Sequence, residues 1–271
     1  CQQRFFASKN IAFDLSAVSF IEPYSMLGLL LLGRNHIRNC GTKIMLKNIP
    51  LSIHQYLYRM DFFKQEIFNR QENLSEQYFL KRSAMSKNLV EISPIPNKER
   101  ESVKAISSAI SVFRKRANFI MKHWLSDTIV DFFVTVISEI CQNIYEHSLD
   151  SGYLAMQSYS YANQKIVRLA VSDSGIGIRE SFAKSDIKYN SPAHLIQLAL
   201  TTTISSKREF GYGLNQVNAI IEKLGGSIFI RSENAAVSVM YNARKKTAAH
   251  SFLKNDLPVF PGTQISISLT A

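Results

Sequence analysis

Val136 to His147 reads V-I-S-E-I-C-Q-N-I-Y-E-H, and its spacing predicts an amphipathic helix. Glu139, Asn143 and His147 recur every four residues, so on an α-helix they share one face. Val136, Ile137, Ile140 and Ile144 supply most of an apolar side that can bury against a sheet. A carboxylate, an amide oxygen and an imidazole in one row suit a site that holds hydrated Mg²⁺ and polarises a nucleophile beside it. The same pattern also describes an ordinary solvated helix face, so the choice between them depends on the residues C-terminal to the helix.

Downstream the period changes. Gly152 to Tyr161 and Lys165 to Ser172 alternate apolar and polar residues around Ala162-Asn163-Gln164, which predicts a β-hairpin. The second strand runs into V-S-D-S-G-I-G-I, with Asp173 at the strand end and Gly175 and Gly177 behind it. A carboxylate followed by residues without Cβ lets the backbone turn tightly and approach a ligand. Ser205 to Leu214 reads S-S-K-R-E-F-G-Y-G-L and leads into a predicted helix, Asn215 to Leu224. Gly211, Tyr212, Gly213 and Leu214 at that helix start form a phosphate cradle of free amides and positive dipole end. Gly225-Gly226 stops the helix, Ser227 to Arg231 and Val237 to Tyr241 form a strand pair, and Pro261-Gly262-Thr263 leads a last strand, Gln264 to Leu269.

Glu139/Asn143, then D-S-G-I-G, then G-Y-G-L, then G-T before a final strand is an order similar to the GHKL ATPases, over about residues 99–271. That superfamily holds DNA gyrase B, sensor histidine kinases, the MutL group and the anti-sigma kinases. The resemblance implies a Bergerat α/β sandwich, a mixed sheet with helices on one face, and ATP and Mg²⁺ as cofactors. It assigns Asp173 to the adenine amino group with Thr263 assisting through water, and Asn143 to Mg²⁺. Gly175, Gly177, Gly211 and Gly213 would shape pocket and lid, and Glu139 would act as general base or position water. His147 and Lys207, with Arg208, are placed where a phosphate would lie. Residues 180 to 210 correspond to the family's ATP lid.

The N-terminal third reads as strand, helix, strand, helix: Asn10 to Leu15, Tyr24 to Arg38, Thr42 to Lys47, and a helix opened by Pro50. This spacing predicts a mainly parallel α/β unit. I-A-F-D-L-S-A-V-S-F-I-E-P-Y-S-M-L-G-L-L with T-K-I-M-L-K and Y-L-Y-R-M-D-F-F resembles a STAS domain, the anti-anti-sigma module of bacterial partner switching. The resemblance spans about residues 8 to 66 and lacks the family's first strands, as in an N-terminally truncated domain. Where the family carries Asp-Ser-Ser-Gly, this chain has Glu22, Pro23, Tyr24 and Ser25. Proline has no hydroxyl, so the unit is expected to dock or dimerise instead of relaying phosphate. The expected division is 1–66 as the STAS-like domain, 67–98 as a linker with one strand ended by Pro94 and Pro96, and 99–271 as the ATP-binding domain.

Composition bounds the rest. At 271 residues, 46% hydrophobic and 20% charged, the chain suits one large or two ordinary folded domains. Its longest apolar run, Met26 to Leu32, is too short to span a membrane. Cys1, Cys40 and Cys141 match no metal spacing, which suits reduced thiols in a cytoplasm. The formal charge of +11 is spread along the chain and does not form the single basic stripe of a nucleic-acid binder.

These readings predict a cytoplasmic, ATP-binding regulatory protein: an anti-sigma-type Ser/Thr kinase or an ATP-gated interaction switch. Its partners would be regulatory proteins of the sigma, anti-sigma or STAS class, or a second copy in a homodimer. A sensor histidine kinase is the alternative, but His123, in K-H-W-L-S-D, lacks the context of a phosphoacceptor. A non-catalytic, nucleotide-gated interaction protein is the other.

Overall fold

The computed structural model describes residues 10–71, 86, 88–95, 103–123, 126–148, 150–161, 164–183, 185–204, 213–242 and 248–270. For 103–110, 146, 147, 161 and 248–250 the description covers the backbone alone. An N-terminal unit comprises β1 (Ala12–Asp14), α1 (Pro23–Cys40), β2 (Ile44–Lys47), α2 (Leu51–Arg59) and β3 (Phe68–Arg70). Its three strands pair in parallel, in the order β1-β2-β3. Pro23 opens α1 at a position whose amide needs no intrahelical partner.

The larger part comprises β4 (Leu89–Ile95), α3 (Val103–Met121), α4 (Asp127–Asn143), a π-helical turn (Ile144–Ser148), β5 (Gly152–Tyr161) and β6 (Gln164–Asp173). Beyond β6 come α5 (Ile178–Ser181), α6 (Pro192–Thr201), α7 (Gly213–Leu224), β7 (Ser227–Glu233), β8 (Ala235–Tyr241), β9 (Ala248–Lys254) and β10 (Phe260–Thr270). Seven strands form one sheet in the order β4-β5-β6-β10-β7-β8-β9. The expected sandwich is present, but every pairing in this sheet is antiparallel, where a mixed sheet was expected. The reason is the insertion of β10. β6 and β7 run in the same direction, yet β10 lies between them and opposes both.

Alternation along the strands sorts the two faces. Leu154 and Met156 of β5, Leu169 and Val171 of β6, Ile228 and Ile230 of β7, and Ile265 and Ile267 of β10 join the helices in one core. Phe133, Val136, Ile137 and Ile140 of α4 and Val217 and Ile221 of α7 pack into it. The opposite face presents Ala155 and Ala170, cross-strand partners, to a second core that includes Met26, Leu27, Leu30 and Leu31 of α1. All four α1 side chains are fully buried. Gly28 is the point of closest approach: a Cβ there would lie 3.0 Å from Nε2 of Gln264. The N-terminal unit is thus seated on the back of the large sheet through α1.

Several expectations need correction. Among its described residues the stretch 67–98 holds two strands, where one was expected, and they belong to different sheets: β3 pairs with β2 and β4 with β5. β4 also runs through Pro94, which an edge strand tolerates because no ladder partner needs its missing amide. The α-helical pattern from Val136 ends at Asn143, and the π turn next to it breaks the four-residue spacing before His147. The stretch expected as lid contains α6, capped by the Ser191 hydroxyl, which accepts from the His194 amide. β9 is a further strand, at the edge of the sheet. Among the described residues no helix is long and apolar enough to cross a membrane.

Candidate nucleotide-binding site

Strand register builds the floor of the site. Thr263 of β10 faces Asp173 of β6 on one side and Ser232 of β7 on the other. Asp173 and Thr263 lie two residues from Val171 and Ile265, so their side chains point to the helix-covered face. Above them is a cleft enclosing about 770 Å³, part of it open to solvent. α4 contributes Ile140 and Asn143 to its wall, and α7 contributes Gly213 and Leu214. Ile176, Gly177 and Ile178 close it from the loop after β6.

Asp173 is buried, with 4% of its surface exposed. The Ser148 hydroxyl donates to its Oδ1 at 2.7 Å, and the Gly175 amide donates to the same oxygen at 3.0 Å. Burial raises its pKa to about 6; these two bonds and the Thr263 amide oppose the rise, while the Asp150 charge adds to it. The result is a fixed acceptor at the floor of the cleft, with Val171 and Ile265 as its apolar neighbours. Gly175 is required by space: a Cβ there would collide with the carbonyl and hydroxyl of Ser148.

Ser232 of β7 joins the start of α5 to β10. Its hydroxyl accepts from the Ile178 amide at 2.8 Å, approaches the Gly262 carbonyl at 3.4 Å and lies 3.3 Å from the Thr263 hydroxyl. On the facing wall Asn143 lies against the start of α7, where a Cβ on Gly213 would come within 2.8 Å of its Oδ1. The first amides of α7 lack intrahelical partners, so this end of the cleft favours an anion.

One cleft therefore gathers Asn143, Asp173, Gly177, Gly213, Leu214 and Thr263, drawn from four separate elements and one loop. Gly175 sits in the loop beside Asp173. Glu139 is one turn before Asn143, partly buried, and outside the residues that line the cleft. Lys207, Gly211 and Tyr212, like Arg208, lie outside the described residues, and so does the side chain of His147. Sequence reasoning missed Ser148 and Ser232. Isolated serines carry no local signal, and these act only because the π turn and the strand register bring them to Asp173 and Thr263.

Residues 128–255 match the family model of the histidine kinase-, DNA gyrase B-, and HSP90-like ATPases. Together with the helix-covered sheet, this match supports an ATPase domain of the GHKL type in the C-terminal region, a class whose members bind ATP. The matched span begins in α4 and ends just past β9, so Thr263 contributes from β10, beyond it. No curated protein matches the chain.

Proposed function

We propose that this protein is an ATP- and Mg²⁺-dependent regulatory switch of the cytoplasm that acts on a partner protein. One observation carries the reading: a buried carboxylate, Asp173, paired with Thr263 at the bottom of a cleft whose mouth is Asn143 and the start of α7. Adenine fits the apolar floor with its amino group donating to Asp173, and the phosphates then lie toward α7. Mg²⁺ fits this donor set as an ion held by one amide oxygen, that of Asn143, and otherwise by phosphate and water oxygens. Bound there, it would spread the charge on the phosphates.

Phosphoryl transfer to a Ser or Thr of the partner, in the manner of the anti-sigma kinases, is the second reading. It is favoured by Glu139, a carboxylate one helical turn from Asn143 that can orient or deprotonate a nucleophile. The segment resembling the STAS regulatory loop supports docking over relay. Glu22 pairs with Arg168, and the Tyr24 hydroxyl donates to Gln264 Oε1 at 3.1 Å, so this segment is itself seated on the sheet. A partner of the sigma, anti-sigma or STAS class suits such a module.

Calorimetry with ATP, with and without Mg²⁺, tests both readings. Asn143→Ala is expected to lose the metal-dependent part of binding. Glu139→Ala is expected to keep ATP affinity within a few-fold while hydrolysis or transfer disappears. Failure of the wild-type chain to bind ATP would overturn the assignment of the cleft. Binding with no turnover in any partner mixture would leave the switch and remove the kinase.

A further inference from the structure

The last two turns of α1 reach past the back of the sheet to the loop that precedes β5. Asp150 stands in that loop and is surrounded by donors. Arg38 forms an ion pair with its Oδ2, and Arg34 approaches Oδ1 at 3.3 Å. The Ser151 amide donates to Oδ1 at 2.7 Å, and the Ser174 hydroxyl donates to Oδ2 at 2.9 Å. Arg38 also donates to the Ser174 carbonyl at 3.3 Å. Ser174 is the residue next to Asp173, so the guanidinium grips the backbone that carries the adenine acceptor. Arg34 is fixed in turn by the Tyr153 hydroxyl, at 3.2 Å, and lies over that ring.

We propose that the N-terminal unit is a regulatory element of the nucleotide site, with Arg34 and Arg38 as positioning residues that act on Asp173 through Asp150 and Ser174. The inference rests on the ATP reading of the cleft. Two consequences of the geometry carry it. First, the loop after β6 is held on both sides: Ser148 and Gly175 fix the Asp173 carboxylate from the cleft side, and the arginine–Asp150 cluster fixes Ser174 from the other. Withdrawing α1 removes Arg38 from the Ser174 carbonyl and leaves Asp150 as the outer hold on Ser174. Second, Arg34 and Arg38 hold Asp150 in its charged form, and the Ser174 hydroxyl donates to that carboxylate, so the arginines keep its hold on Ser174. A partner that draws α1 off the sheet therefore weakens ATP, and by linkage ATP strengthens the seating of α1.

The test is ATP–Mg²⁺ titration of the full chain by calorimetry, with hydrogen exchange over residues 23–40 as a second readout. The paired variant Arg34→Met/Arg38→Met is expected to bind ATP at least about five-fold more weakly, the low end of measured allosteric couplings. Adding it to Asp150→Asn should weaken binding by less than the sum of the two separate losses, because both break one shared cluster of contacts. Arg38→Lys, which keeps a cation, should stay nearer wild type. Glu22→Gln loosens α1 at its other end and should leave ATP affinity unchanged. ATP should slow exchange in α1 of the wild type and not of Asp150→Asn. If the paired variant does not fold, Ser174→Ala removes only the inner link and should still weaken ATP. Wild-type affinity in the paired variant, or in Ser174→Ala where that variant replaces it, would overturn the coupling alone, as would fully additive losses. No ATP binding by the wild-type chain would overturn the nucleotide reading and the coupling with it.

Discussion

The two faces of the sheet, compared where β5, β6 and β10 carry both cores, bury their residues for opposite ends. The back face is small and flat, with Ala155 and Ala170 beneath four fully buried α1 side chains. Its charges are matched in pairs at the rim, Glu22 with Arg168 and Asp150 with Arg34 and Arg38. The front face at the same level buries a carboxylate whose ionisation is disfavoured by its surroundings. One face uses its apolar area to hold the chain together. The other buries an acceptor, which the Ser148 hydroxyl and the Gly175 amide hold in place.

Breaking the back face should have the largest effect. Leu27→Ala removes a fully buried side chain from the α1 core and is expected to destabilise the protein by about 2–5 kcal/mol in urea unfolding. Breaking the front face should do the reverse to stability. Asp173→Asn is expected to weaken ATP about ten- to a hundred-fold in calorimetry, through loss of a charge-assisted bond. In the nucleotide-free protein the same change relieves a buried charge, so Tm should rise. A pKa near 6 against the ordinary 3.8 corresponds to roughly 3 kcal/mol at neutral pH, an upper limit for that gain.

The sign of the pH dependence sharpens the contrast. Asp173 has a raised pKa, so its contribution to stability is full below pH 3.8 and is lost as pH rises through about 6. ATP binding needs the ionised acceptor and should fall as pH drops through the same range. Unfolding and ATP titrations across pH 5 to 7, with Asp173→Asn as the flat control, check both slopes.

A smaller effect is expected at Glu91 of β4, which Arg59 of α2 and Arg116 of α3 hold from either side, at 2.6 and 3.1 Å. Burial raises its pKa, but Arg59 and Arg116 outweigh this and lower it, so its stabilisation is present at neutral pH and lost on acidification. Glu91→Gln should cost about 1 kcal/mol or less, reduced further by salt. The smallest effect is expected at Ser25, exposed on α1. Mass spectrometry after incubation with ATP should find residues 1–66 without phosphate.

Much of this contrast is legible in the residues themselves. Alternation in L-A-V-S-D and Q-I-S-I-S-L assigns β6 and β10 to faces before any partner is known. D-S-G-I-G places a carboxylate and a tight turn at a strand end. The contacts that matter most at the site are less legible. Ser148 meets Asp173 across 25 positions, and Ser232 meets Thr263 across 31. Register makes these neighbours, and no local pattern announces it. α6 carries ordinary signals, a capping Ser191 and Pro192 before an apolar run, but the expectation of a lid covers them. The seating of α1 is hidden for a different reason: alanines on a strand say only that space is available, and not what fills it.

The central place of β10 bears on how the molecule is assembled. Strands β4 to β6 and β7 to β9 each pair locally, but among the described strands β10 alone joins the two ribbons, and it comes after both in the chain. During synthesis the two ribbons must wait with an open edge each until that strand emerges, a long-range closure of the kind that slows folding and exposes sticky edges. When β10 enters, it completes the sheet and delivers Thr263 between Asp173 and Ser232 in the same movement. Nascent chains lacking this strand would have neither a closed fold nor a finished pocket, so the cleft is completed only as the sheet is.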